Sequence, residues 1–219
     1  MKKYLALLMA VYANLLNLHA QTYYDVGEVI EIDGHKAIIY EVDEFGQHGK
    51  AMYVKVFRGV DGPWCNHMKY AKQLPSLANR KDGLSNTRKV VSFAHEKNVL
   101  SCFPVFEWCN NLGENWYIPS VEELEAFINF WIGNNVVLDW DEDVENTMDD
   151  NSIFYKTINN KLLDAGGSAF LNGAYTSTVT DDGKVYVFQF DRKKNSWKFN
   201  LKSRTKLGED CVGRAFVRF

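Results

Sequence analysis

Carboxylates recur at alternate positions in one acidic stretch, at Asp139, Asp141, Asp143 and Glu145, and Asp150 falls where the twelfth ligand of a calcium-binding loop would stand. Hard oxygen donors at that spacing are the chemistry of Ca²⁺. Against it, the glycine such a loop needs for its sharp turn is replaced by Val144, and the closing ligand is an aspartate rather than a glutamate. A run of like charges is ordinarily a solvated face. Calcium is therefore the one cofactor the residues suggest, with a plain acidic loop as the alternative. Sugar recognition by aromatic faces is the second chemistry to weigh. Trp140 lies inside the acidic stretch and Trp64 lies in Gly62-Pro63-Trp64-Cys65. Both are candidate ligand platforms, although tryptophan more often packs than binds. Trp131 and Trp116 belong to regular apolar patterns and are expected in the core.

Catalytic patterns are sparse. His35, His48, His67 and His95 are scattered, with no Gly-x-Ser-x-Gly elbow. Cys65-x-His67 is too short a pattern for a Cys–His dyad or a zinc site. Glu122 and Glu123 are adjacent, but Glu123 is already committed to a helix cap. No catalytic residue is assigned.

The elements that must position these residues can be read along the chain. Residues 1–20 carry Lys2 and Lys3, an apolar run, and Leu18-His19-Ala20, the layout of a signal peptide cleaved before Gln21. Export to the periplasm, cell surface or medium is expected, with no membrane span after cleavage. The rest, 21–219, reads as one α+β domain. Net charge is -3 and no basic stripe is present, so nucleic acid is not an expected partner. Strands are expected at 28–32, 36–42 and 51–57, turning at Asp33-Gly34 and Phe45-Gly46. A short helix is expected near 68–73. A longer one over 87–97 would be capped by Ser85 or Asn86. Pro104 opens a helix to about residue 112, stopped by Gly113. Ser120 and Glu123 form a capping box for the next helix. There Leu124, Phe127, Ile128 and Trp131 make one apolar stripe, and Gly133 closes it. A helix over 152–165 is followed by strands at 174–179, 184–191, 196–201 and 212–219. In the last strand Arg214 and Arg218 alternate with Ala215 and Val217, which predicts a partly wet face. Four cysteines (Cys65, Cys102, Cys109, Cys211) in an exported chain favour disulfides, and three pairings remain open.

Four segments in order, 37–49, 82–87, 103–130 and 213–219, resemble the C-terminal domain of the Legionella collagen-like protein family, a bacterial domain of largely unknown function. That family often has Trp-Arg-Leu-Pro where this chain has Trp116-Tyr117-Ile118-Pro119, so an anion contact is lost. The resemblance implies a C-type-lectin-like fold: a mainly antiparallel twisted sheet with packed helices, stapled by disulfides. By position it implies Cys109 paired with Cys211, and Cys65 with Cys102. It also implies an exported non-catalytic binding or adhesion domain that recognises a glycan or surface protein through the long loops at 59–84 and 139–151. A structural subunit of an envelope or surface assembly is the alternative, with strand 212–219 offering an edge if uncovered. An enzyme related to formylglycine-generating enzymes by fold alone is the third.

Overall fold

The computed structural model describes residues 23–57, 64–133, 146–147, 153–170, 173–191, 196–203 and 211–219. In chain order these form β1 (Val29–Ile32), β2 (His35–Val42), β3 (Gly49–Tyr53), α1 (Met68–Ala71), α2 (Gly83–Glu96), a 3-10 turn (Leu100–Cys102) and α3 (Pro104–Asn110). Then come β4 (Trp116–Tyr117), α4 (Val121–Ile132), β5 (Asn146–Thr147), α5 (Ile153–Asp164), β6 (Gly173–Val179), β7 (Lys184–Asp191), β8 (Ser196–Ser203), β9 (Cys211–Val212) and β10 (Phe216–Arg218). The architecture is α+β, with two five-stranded sheets in the orders β1-β2-β3-β10-β4 and β5-β8-β7-β6-β9. Every pair is antiparallel except β6 with β9.

Local chemistry explains most of these elements. Asp33 and Gly34 both take positive φ, 53° and 77°, as a two-residue hairpin turn requires, and β1 and β2 pair directly across it. Ser120 caps α4, its side chain accepting from Glu123 N–H, and the reciprocal arm of the box is also present. Gly133, at φ 72°, ends that helix in the left-handed region. Pro104 occupies the first turn of α3.

One apolar core joins the two sheets. The stripe of α4 forms the wedge. Phe127 lies 5.7 Å from Tyr40 of β2, 5.9 Å from Phe216 of β10 and 4.8 Å from Phe170. Phe170 in turn lies 5.5 Å from Phe188 of β7, so a chain of rings crosses from one sheet to the other. Edge-to-face contacts of this kind add to the gain from area buried. Ala37 to Tyr40 are all buried, so β2 packs on both faces rather than on one.

Three expectations are corrected. Helix α2 starts at Gly83 rather than residue 87, and its cap is Asp82, whose side chain accepts from Ser85 N–H. The last strand divides into β9 and β10, and β10 lies between β3 and β4 in the middle of its sheet. It is therefore not an edge for strand addition. Its wet face is also only half present. Arg214 is 1% exposed, donates to the carbonyls of Ser168 and Ala169 at 3.1 and 2.8 Å, and stacks 5.2 Å from the Phe170 ring. Backbone carbonyls take both terminal nitrogens of this guanidinium inside the fold, which makes the burial tolerable. Among the described residues no helix is long and apolar enough to cross a membrane.

Candidate functional site

The cap glutamate of α4 is the hub of a polar cluster that the capping pattern alone does not reveal. Glu123 is 2% exposed. Its Oε2 accepts from Gly83 N–H at 2.8 Å, Ser120 N–H at 3.0 Å and Ser120 Oγ at 2.9 Å. Its Oε1 accepts from Tyr117 Oη at 3.0 Å and Arg218 Nη2 at 3.1 Å. One carboxylate thus ties the start of α2, the start of α4, β4 and β10 together. Five donors, one of them the guanidinium of its ion pair, fix the carboxylate in place, so its work is positional.

Arg218 is the outward member. Its Nη2 also reaches Asp82 Oδ1 at 2.8 Å, and its guanidinium sits 5.4 Å from the centre of the Tyr117 ring. Burial alone would lower its pKa, but the hydrogen bond to Glu123 and the neighbouring Tyr117 outweigh that and hold it above its ordinary value. Burial, then the nearby Glu123 charge, pushes the Tyr117 phenol well above its usual range, with Arg218 acting in opposition. Tyr117 therefore forms the platform beneath an arginine from β10.

Beside this cluster lies a groove of about 790 Å³ along α2, lined also by Gln73 and Pro75. Ser85, Arg88, Lys89, Ser92 and Phe93 line it, and Arg218 closes one end. Positions 85, 88, 89, 92 and 93 recur at helical spacing, so a single helix face supplies them. Arg88 and Ser92 are exposed, while Lys89 Nζ donates to the Ser76 carbonyl at 3.3 Å. The volume falls in the range of small-ligand sites. Its lining mixes hydroxyls and cationic donors with the carboxylates of Asp82 and Glu96 and one aromatic ring, a surface suited to a polar ligand.

The residues expected from sequence lie elsewhere. Trp64 is fully buried: its indole N–H donates to the Thr176 carbonyl at 2.9 Å, and its ring lies 4.9 Å from Phe106. It is a core residue and not an exposed ligand platform. Trp140 and the carboxylates Asp139, Asp141, Asp143, Glu145 and Asp150 lie outside the described residues. Among the described residues no group of three or more His, Cys, Asp or Glu is placed to hold a metal ion. The disulfide pairing is also corrected. Cys65, Cys102 and Cys109 stand as thiols. Cys65 Sγ is turned to the His67 carbonyl at 3.3 Å, and burial pushes the Cys109 thiol well up. The side chain of Cys211 lies outside the described residues.

Sequence reasoning missed Arg88, Ser92 and Arg218 as a set. The helical spacing of the first two was legible, but nothing local joins them to the last strand. It also missed Trp108, a partly exposed tryptophan 5.5 Å from Phe57 and 6.0 Å from Tyr53.

No family model matches the chain, and no curated protein matches it. Among solved structures, the chain is similar to a fimbrial protein from Bacteroides ovatus ATCC 8483, at 16% identity and a TM-score of 0.45. The match covers 94% of this chain and 41% of that protein, so the chain spans well under half of its length.

Proposed function

We propose that this protein is an exported, non-catalytic binding domain of C-type-lectin-like architecture, which recognises a glycan or a surface protein through the groove beside α2. The observation that carries the reading is the fixed guanidinium of Arg218, held at the groove end by Asp82 and Glu123 at 2.8 and 3.1 Å. A donor whose rotamer is already set loses little entropy when a ligand arrives. Arg88, Ser85 and Ser92 supply further donors from one helix face, and Phe93 supplies a ring. Recognition surfaces carried on a rigid scaffold are the usual arrangement for such domains. The proposal retains kinship with the Legionella collagen-like C-terminal family, and the stretch around Trp140 as a second contact. Ca²⁺ there would bind Asp139, Asp141, Asp143, Glu145 and Asp150.

A glycan array, followed by calorimetry with the best binder, tests the groove. Ser92→Trp fills it from an exposed position that does not touch the Glu123 cluster. The expected result is a roughly tenfold or greater loss of affinity with an unchanged melting temperature. Equal binding by Ser92→Trp, or no binder on the array or in surface-protein pull-downs, would sink the reading.

A further inference from the structure

The side chains along the α2 groove divide into those with partners and those without. Lys89 is bonded to the Ser76 carbonyl, and Arg218 is shared between Asp82 and Glu123. Arg88 is exposed and has no ion pair or hydrogen bond from its side chain among the described residues. The hydroxyls of Ser85 and Ser92 are likewise without partners there. Ser85 precedes Arg88 by three residues and Ser92 follows it by four, so one helix face sets the guanidinium between two hydroxyls. The carboxylates of the groove stand apart from this row. Asp82 lies six residues back, about 9 Å along the helix axis. Its Oδ1 already accepts from Ser85 N–H and Arg218. Glu96 lies eight residues on, about 12 Å along the axis. Exposed charges that far apart are largely screened at physiological ionic strength, where the Debye length is about 8 Å. The middle of the groove is therefore locally cationic, and its donors are unengaged.

We infer that the groove takes an acidic glycan, whose carboxylate or sulfate group seats on Arg88 between Ser85 and Ser92. The inference rests on the groove reading above and adds to it the charge of the ligand and the residue that selects it. A guanidinium presents its N–H donors as a fork that matches two oxygens of an oxyanion, and hydroxyls can donate to those that remain. The same lining favours a glycan over an acidic peptide. Ser85, Ser92 and Gln73 carry groups that both donate and accept, as sugar hydroxyls do, so each pair can bond in either direction. Phe93, beside Ser92, offers a ring to the apolar face of a sugar.

Calorimetry on the purified protein tests this with five probes: oligogalacturonate, its neutral methyl ester, sulfated dextran, plain dextran and poly-glutamate. The expected result is that an acidic glycan binds roughly tenfold or more tightly than its neutral counterpart. Preference for oligogalacturonate assigns a uronic acid, and preference for sulfated dextran assigns a sulfate ester; either supports the inference. Arg88→Gln lowers affinity for the acidic glycan by roughly tenfold or more, and Arg88→Lys by less. Both keep the melting temperature, because the side chain is exposed. Lys55→Gln, at an exposed cation outside the groove, leaves binding unchanged. Equal binding of acidic and neutral forms overturns the inference. So does undiminished binding by Arg88→Gln, an equal loss in Lys55→Gln, or tighter binding of poly-glutamate. If neutral glycans bind as well as acidic ones and Ser92→Trp abolishes that binding, the groove reading stands and this inference alone falls. If no glycan binds, this inference falls and the groove reading rests on the surface-protein pull-downs.

Discussion

Glu123 shows how one residue can serve two scales. As the partner of Ser120 it completes a helix cap, and as the acceptor for Gly83, Tyr117 and Arg218 it joins three other segments. Removing a buried charge strands its donors, which costs more than the loss of any one bond. Glu123→Ala is expected to destabilise by about 3–5 kcal/mol in urea unfolding. A cost under about 1 kcal/mol would show that water replaces the carboxylate at little expense. Gly83 belongs to the same junction. A Cβ there would lie 2.5 Å from both the Ile118 carbonyl oxygen and the Ser120 nitrogen, which explains why the helix opens on glycine. The same scale explains Trp64: its N–H finds a carbonyl of β6, so its whole ring can enter the core.

At the scale of elements, the caps separate two ways of starting a helix. Both Ser85 and Asn86 have the chemistry to begin α2, yet Asp82 does so, because Gly83 N–H is drawn to Glu123 and Ser85 N–H to Asp82. Asp82→Ala is expected to cost about 1–2 kcal/mol by thermal unfolding, since it loses the cap and an Arg218 contact. Ser85→Ala should cost no more than about 0.5 kcal/mol. The reverse order would return the cap to Ser85. Strand boundaries follow the same lesson. β7 covers the expected residues, because the Asp181-Asp182-Gly183 turn that precedes it is a local signal. The C-terminal stretch is two strands rather than one: Gly213 packs against Val105 and Phe57, and the chain passes from one sheet to the other at that point.

For the whole molecule, the buried phenols couple fold stability to alkaline pH. Tyr117 and Tyr40 are both held well above the ordinary phenol value of about 10, burial being the largest cause in each. Between that value and their raised folded values the native state keeps protons that the unfolded chain releases. Their contribution is therefore complete below pH 10 and is lost as pH rises through the folded values. Phenolate absorbance is expected to show these two tyrosines titrating together with unfolding. Smooth titration of every tyrosine near its ordinary value, with the fold intact, would contradict the buried cluster.

By itself the sequence determined what depends on neighbours within a few residues: the capping box at Ser120, the hairpin turn at Asp33-Gly34, the apolar stripe of α4 and the α+β class. Those features rest on backbone geometry and short-range bonds, which a local pattern encodes directly. Only the tertiary structure decided that Trp64 is core, that β10 is central and that Arg218 meets Asp82 and Glu123, residues 136 and 95 positions away. These contacts form because burying the two sheets against α4 brings distant segments together, and no local spacing records which segments those are. The candidate groove belongs to this second class. Its helix face was readable, but the arginine that closes it was not.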